Sequence, residues 1–202
     1  MASSYKNKRD FNKTDEPKGG KGGSKHIFVI QKHDASQLHY DFRLNVSGKL
    51  KSWAIPKGLS MAANKKRLAI RTEDHPYDYA DFEGAIPEGE YGGGTVMVWD
   101  KGTYKPIKED ASHDKSMQDA IKDGALKFEL KGEKIKGGFA MARTKKTSEG
   151  DDDREKWVIF KLDDDEADAR RKPTSTENES VKTGRTLEEI ESDEEEEDDE
   201  NE

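Results

Sequence analysis

Residues 33–43 read HDASQLHYDFR, and their second half carries the densest chemistry in the chain. From His39 to Leu44, polar and apolar residues alternate one by one. A period of two is the mark of a half-buried strand. Tyr40, Phe42 and Leu44 then share one face, while His39, Asp41 and Arg43 share the other, about 7 Å apart at each step of two residues. His33 lies six residues earlier, near the end of another apolar run, where it can fold back towards the polar face. Two imidazoles and a carboxylate make a three-ligand site for a divalent ion with positions left open. The Arg43 guanidinium beside them suits a phosphate or carboxylate held by two hydrogen bonds. Against this stands the plainer view that two strand histidines only meet solvent.

These side chains must be positioned by short strands. The pattern predicts strands over 26–32, 39–45, 50–55, 67–72, 95–100, 102–105, 125–131, 138–143 and 156–162. Ser47-Gly48 makes a hairpin turn, and Gly102 follows a second turn. Met117–Asp123 reads as a short helix stopped by Gly124. In the strand at 67–72, Leu68 and Ile70 fall on one face and Arg67, Ala69 and Arg71 on the other. Many short strands with Gly and Pro turns indicate a mainly β sandwich or barrel. No internal repeat is visible.

Composition divides the chain. Of 202 residues, 30% are hydrophobic and 40% charged, which is too polar for a chain packed throughout. Residues 163–202 hold 19 acidic and 5 basic side chains, whereas residues 1–162 hold 25 and 31. A basic body of net +6 fits a polyanionic partner. The acidic segment 163–202 is expected to be disordered, with a transient helical turn at most over 187–190. Residues 1–25, rich in Lys, Gly and Ser, read as a flexible arm. The 202 residues contain no cysteine, which excludes disulfides, thiolate metal sites and cysteine nucleophiles. No signal peptide and no membrane-length apolar run is seen, so a cytoplasmic protein is expected.

The string FVIQKHDASQLHYDFRL from Phe28 to Leu44 resembles the signature of the 3′-phosphoesterase domain of bacterial ATP-dependent DNA ligase D, a family that also occurs as small stand-alone proteins. The likeness continues through RDFNKTDEP, WAIPKG and RTEDHPYDYADFEGAIPEGEYGGGTVMVWDKGTY, over about residues 5–162. It implies a single β-barrel domain over 26–162 with short flanking helices. It also implies a divalent metal on His33, His39 and Asp41, with manganese preferred. The donor types alone leave zinc and cobalt open.

The same resemblance implies that Arg43, His75 and Tyr79 bind the scissile phosphate. His75 could add a general-acid role if its pKa allowed. Gln31 and Glu73 would orient the ligands, Lys57 and Arg67 would add positive charge, and the arm would fold over the site with Arg9, Asp10 and Glu16. The loop Glu90-Tyr91-Gly92-Gly93-Gly94-Thr95 lacks P-loop spacing and reads better as a glycine-rich turn before a strand. His26 and His113 have no matching role.

The implied activity is 3′-end healing of nucleic acid: removal of a terminal ribonucleoside, then of the 3′-phosphate. A monomer acting beside a separate ligase and polymerase is expected. Two other classes compete. His39, Asp41 and His75 could form the facial triad of a non-haem iron oxygenase, or the basic cavity could bind ends without catalysis.

Overall fold

The computed structural model describes residues 3–107, 116–144 and 154–200; His113 lies outside them. Among the described residues ten strands form: β1 (Ile27–Asp34), β2 (His39–Val46), β3 (Lys49–Ile55), β4 (Arg67–Arg71), β5 (His75–Pro76), β6 (Gly84–Ile86), β7 (Gly94–Pro106), β8 (Ala125–Gly132), β9 (Lys136–Arg143) and β10 (Lys156–Lys161). Helices α1 (Ser3–Asn7), α2 (Met117–Asp123), α3 (Pro173–Thr176) and α4 (Leu187–Glu200) flank them. The order β1-β2-β3-β4-β10-β9-β8-β7 closes through a β1–β7 pairing into an eight-stranded barrel, with β6 added on β7 and β5 on β3. The mainly β barrel with short helices is therefore the fold observed. None of the described helices is long and apolar enough to cross a membrane.

Alternation along the strands builds two cores. Phe28, Ile30, Phe42, Leu44, Trp53, Trp99, Phe128 and Trp157 fill the barrel interior and are fully buried. The neighbouring residues Val29, Val96 and Val98 point outward and join Tyr5, Leu50, Tyr79, Phe82 and Ile86 in a second cluster. That outer cluster is roofed by the N-terminal arm and by a 3-10 turn at Tyr77–Asp81.

Gly102 makes no turn. β7 runs unbroken for 13 residues, and a Cβ on Gly102 would fall 2.0 Å from the Lys131 carbonyl oxygen. The glycine serves a close cross-strand approach. The β1–β7 register slips one residue past Trp99, a bulge that adds local twist. Helix α2 has its Ser116 cap and a left-handed Gly124.

The largest departure from the composition is the acidic segment. Several of its described residues pack against the barrel. Trp99 Nε1 donates to the Glu177 carbonyl (2.6 Å), Tyr40 Oη to that of Thr174 (3.2 Å), and the Val181 N–H to that of Val98 (3.0 Å). Ile190 is fully buried in the interior cluster, with Leu187 beside it. Glu83 accepts hydrogen bonds from Ser180 Oγ (2.5 Å) and the Val98 N–H (2.9 Å). A mean over forty residues hides four well-placed apolar side chains, Pro173, Val181, Leu187 and Ile190. Backbone hydrogen bonding to the barrel adds to them.

Candidate metal and phosphate site

The site lies on the outer wall of the barrel. On β2, Phe42 and Leu44 point inward, so Asp41 and Arg43 must point outward. On β1, the same alternation sends Gln31 and His33 out between Ile30 and Lys32. The pairing of β1 with β2 sets His33 opposite His39 and Gln31 opposite Asp41. Five chemistry-bearing residues from two adjacent strands thus share one patch.

His33, His39 and Asp41 offer ligand atoms that all lie within 4.8 Å of one another. His33 Nδ1 and His39 Nε2 each stand 3.6 Å from Asp41 Oδ2. That is long for a hydrogen bond. It is close to the separation of about 3.4 Å between two ligands each about 2.1 Å from one tetrahedral ion. The His39 Nδ1–H donates to the Gln37 carbonyl at 2.9 Å, leaving the Nε2 lone pair facing the triad. His33 Nε2 is buried without a protein partner among the described residues. Donor types, spacing and a fixed tautomer all fit a divalent ion.

Burial alone would raise the Asp41 pKa. The Arg43 charge, His33 and His39 together pull it well below the usual carboxylate range. Burial also works against a charged His39, but Asp41 outweighs it and raises the imidazole pKa.

Arg43 is the hub between this triad and its surroundings. Its Nη2 donates to Asp41 Oδ2 at 3.1 Å and its Nε to Gln31 Oε1 at 2.7 Å, while its Nη1 lies 3.0 Å from His75 Nδ1, which faces the Glu73 carbonyl oxygen at 2.9 Å. Gln31 is itself fixed by donating to the carbonyls of Tyr79 and Phe82, both at 2.9 Å. The Arg43 guanidinium also lies 5.0 Å from the centre of the Tyr79 ring. His75 is buried between cations: burial, Arg43 and Arg9 hold its pKa well below that of a free imidazole. The neutral ring suits hydrogen bonding to phosphate better than acid catalysis near pH 7.

The arm closes the patch. Arg9 Nε donates to Glu16 Oε1 (2.8 Å) and its Nη1 to Glu73 Oε1 (2.7 Å). Tyr79 Oη donates to the same Glu16 oxygen (3.0 Å). Between arm and wall is a cavity of about 380 Å³ lined by His33, His39, Asp41, Arg43, His75 and Tyr79, together with Arg9 and Glu73.

Of the other residues singled out in the sequence, Gln31 and Glu16 stand behind this lining. Asp10 accepts the Asn12 N–H at 3.1 Å and does not line the cavity. Lys57, exposed after β3, and Arg67, opposite Ile159 on β4, are not brought to it either. His75 stands outside the group of metal-type ligands, with the Arg43 guanidinium in contact with both it and Asp41. A triad of His39, Asp41 and His75 is therefore not what the geometry forms. The wall also contains Leu38, Tyr91 and Arg154, which the sequence reading did not select. Arg154 comes from a charged stretch with no periodicity, so nothing in the sequence pointed to it.

A β-barrel with a metal-type triad and a buried guanidinium in one cavity defines a protein equipped to hold an anion beside a cation. Comparison with known proteins gives the family. Residues 31–143 match the DNA Ligase D 3′-phosphoesterase domain, and the chain belongs to this family. It is 44% identical over 167 residues to the multifunctional non-homologous end joining protein LigD of Pseudomonas aeruginosa. It is 43% identical over 161 residues to the multifunctional non-homologous end joining DNA repair protein LigD of Mycobacterium tuberculosis, and 42% over 146 to its counterpart in Mycolicibacterium smegmatis. These matches cover 81%, 78% and 71% of the chain but 19% of each relative.

Proposed function

We propose that the protein is a divalent-metal-dependent phosphoesterase that heals nucleic-acid 3′ ends. The observation that carries the reading is one cavity shared by the His33–His39–Asp41 triad and the buried Arg43 guanidinium. Family membership and relatives named for end joining support it.

A divalent ion on the triad would stabilise charge on a phosphoryl group as a Lewis acid; manganese is the first candidate, then zinc or cobalt. Arg43 uses two of its five N–H donors on Gln31 and Asp41. Its other N–H bonds can hold phosphoryl oxygens as negative charge grows on them. Neutral His75 hydrogen-bonds the same group, while Tyr79 and Gln31 keep the guanidinium in place. Arg9, tied to Glu16 and Glu73, keeps the arm over the cavity and water limited.

The substrate would be a primer strand ending in a ribonucleotide. Water adds at phosphorus, the bond from phosphorus to the terminal nucleoside oxygen breaks, and a 3′-phosphate remains. A second hydrolysis breaks the bond from phosphorus to the 3′ oxygen, releasing phosphate and leaving a 3′-hydroxyl for a polymerase and a ligase.

The test is to incubate the protein and manganese with a 5′-labelled primer–template ending in one ribonucleotide and to resolve the end groups. Stepwise appearance of 3′-phosphate and then 3′-hydroxyl, lost in EDTA and restored by manganese, is expected. Full turnover in excess EDTA would refute the metal dependence.

A further inference from the structure

The glycine-rich loop that the phosphate chemistry leaves unused carries Tyr91 at the cavity rim. Among the described residues, Leu38, Leu68, Tyr91 and Ile107 are the exposed large hydrophobics, and two of these, Leu38 (46% exposed) and Tyr91 (49%), line this one cavity. The loop's own contacts fix its shape. Its turns close through the Glu90 N–H to the Pro87 carbonyl (3.2 Å) and the Gly93 N–H to that of Glu90 (3.1 Å). A Cβ on Gly94 would fall 2.1 Å from the Asp34 carbonyl oxygen. Only glycine there lets the loop lie against the chain that leads to Leu38.

The Tyr91 ring is held in place. Lys8 Nζ donates to its hydroxyl at 3.2 Å and lies 4.5 Å from the ring centre. Lys8 also pairs with Glu73 at 3.1 Å. A fixed aromatic with half its surface open, sharing one cavity with a second open apolar side chain, offers an apolar face that a flat partner can cover.

We propose that Tyr91 and Leu38 form a platform on which the base of the 3′-terminal nucleotide stacks while its phosphate occupies the cavity. The proposal rests on the phosphoesterase reading and adds what the site recognises besides phosphate. A nucleic-acid end offers charge and a flat apolar face in one molecule. Stacking on an aromatic tolerates every base, because each has a π-face. The end would therefore be chosen as a nucleotide, without preference among sequences.

The experiment compares two strands, each ending in a 3′-phosphate, one with a terminal base and one abasic at the terminal sugar. Binding by fluorescence polarisation and turnover are both read for the wild type, Tyr91→Ala, Tyr91→Phe and Leu38→Ala. Tyr91→Ala should raise KM for the base-ended strand about tenfold with kcat little changed, and the abasic strand should not respond. Tyr91→Phe keeps the ring and should follow the wild type, while Leu38→Ala shows a smaller loss of the same kind. Equal losses on both strands would mean that the ring acts through Lys8 and Glu73, and would overturn the platform; so would no loss on either. If the wild type turns over neither strand, the phosphoesterase reading fails. Polarisation then decides the platform alone: base-dependent binding lost in Tyr91→Ala upholds it, and base-independent binding refutes it.

Discussion

The two faces of strand β2 are both buried, and they are buried by opposite means. Phe42 and Leu44 have no exposed surface and touch other apolar side chains of the interior. Asp41 and Arg43, one residue away in each case, are 6% and 3% exposed and are surrounded by polar partners. The interior needs only apolar contact and shape. The outer face must provide a partner for every group it removes from water, because an unpaired buried charge costs several kcal/mol. Arg43 answers to Asp41 and Gln31, and Arg9 to Glu16 and Glu73. A polar core so satisfied is rigid, and rigidity is what a metal and phosphate site needs. The contrast teaches that the barrel is scaffold for a second, polar core between its wall and the arm, where the proposed chemistry would sit.

Substitutions on the two faces should separate stability from chemistry. The largest effect is expected at Asp41: Asp41→Ala removes a proposed ligand and leaves Arg43 uncompensated, so turnover and metal content, read by elemental analysis, should both be lost. Arg43→Ala should lower turnover by about 10²–10³-fold and weaken the metal only about 10- to 100-fold, through its bond to the ligand Asp41. Arg43→Lys should recover little of this, since an ammonium cannot serve Gln31 and Asp41 from one plane. Wild-type turnover in Arg43→Ala would remove the guanidinium from the mechanism. On the inner face, Phe42→Ala should cost about 3–5 kcal/mol in denaturant unfolding, yet bind metal normally wherever the protein remains folded.

The sequence showed the outer face of β2 clearly, because strict alternation from His39 to Leu44 leaves one solution. It also placed His33 near that face, which the β1–β2 register makes concrete. Alternation could not say which side of β4 is inside. Ala69 is fully buried, whereas Leu68 is 45% exposed and Ile70 lines the cavity. An alanine meets the interior there because neighbouring strands supply the bulk. The arm's ion pairs to the wall join residues distant in sequence, such as Arg9 and Glu73, and no local pattern reports them. The segment after 162 misled for a related reason: composition counts charges, but a chain is held by the few side chains that find a surface, Ile190 above all.

The subtlest way to sharpen the comparison is pH, since only the polar core titrates. His75 is 6% exposed and held neutral by burial and by Arg43 and Arg9. Its folded pKa lies well below the unfolded value of about 6.5. Below that pH the unfolded chain takes up a proton that the folded chain refuses. The stability tied to neutral His75 is therefore fully present above the unfolded pKa and is lost as pH falls towards the folded one. The slope should approach about 1.4 kcal/mol per pH unit at this residue. Denaturant unfolding of the metal-free protein from pH 7.5 to 5 should show it, and in His75→Gln, which keeps a polar side chain but does not titrate, the slope should flatten by that amount. Phe42→Ala should shift the whole curve down and leave its slope alone. An unchanged slope in His75→Gln would mean that the imidazole is charged in the folded state, and the neutral hydrogen-bonding role given to it at the phosphate would have to be abandoned.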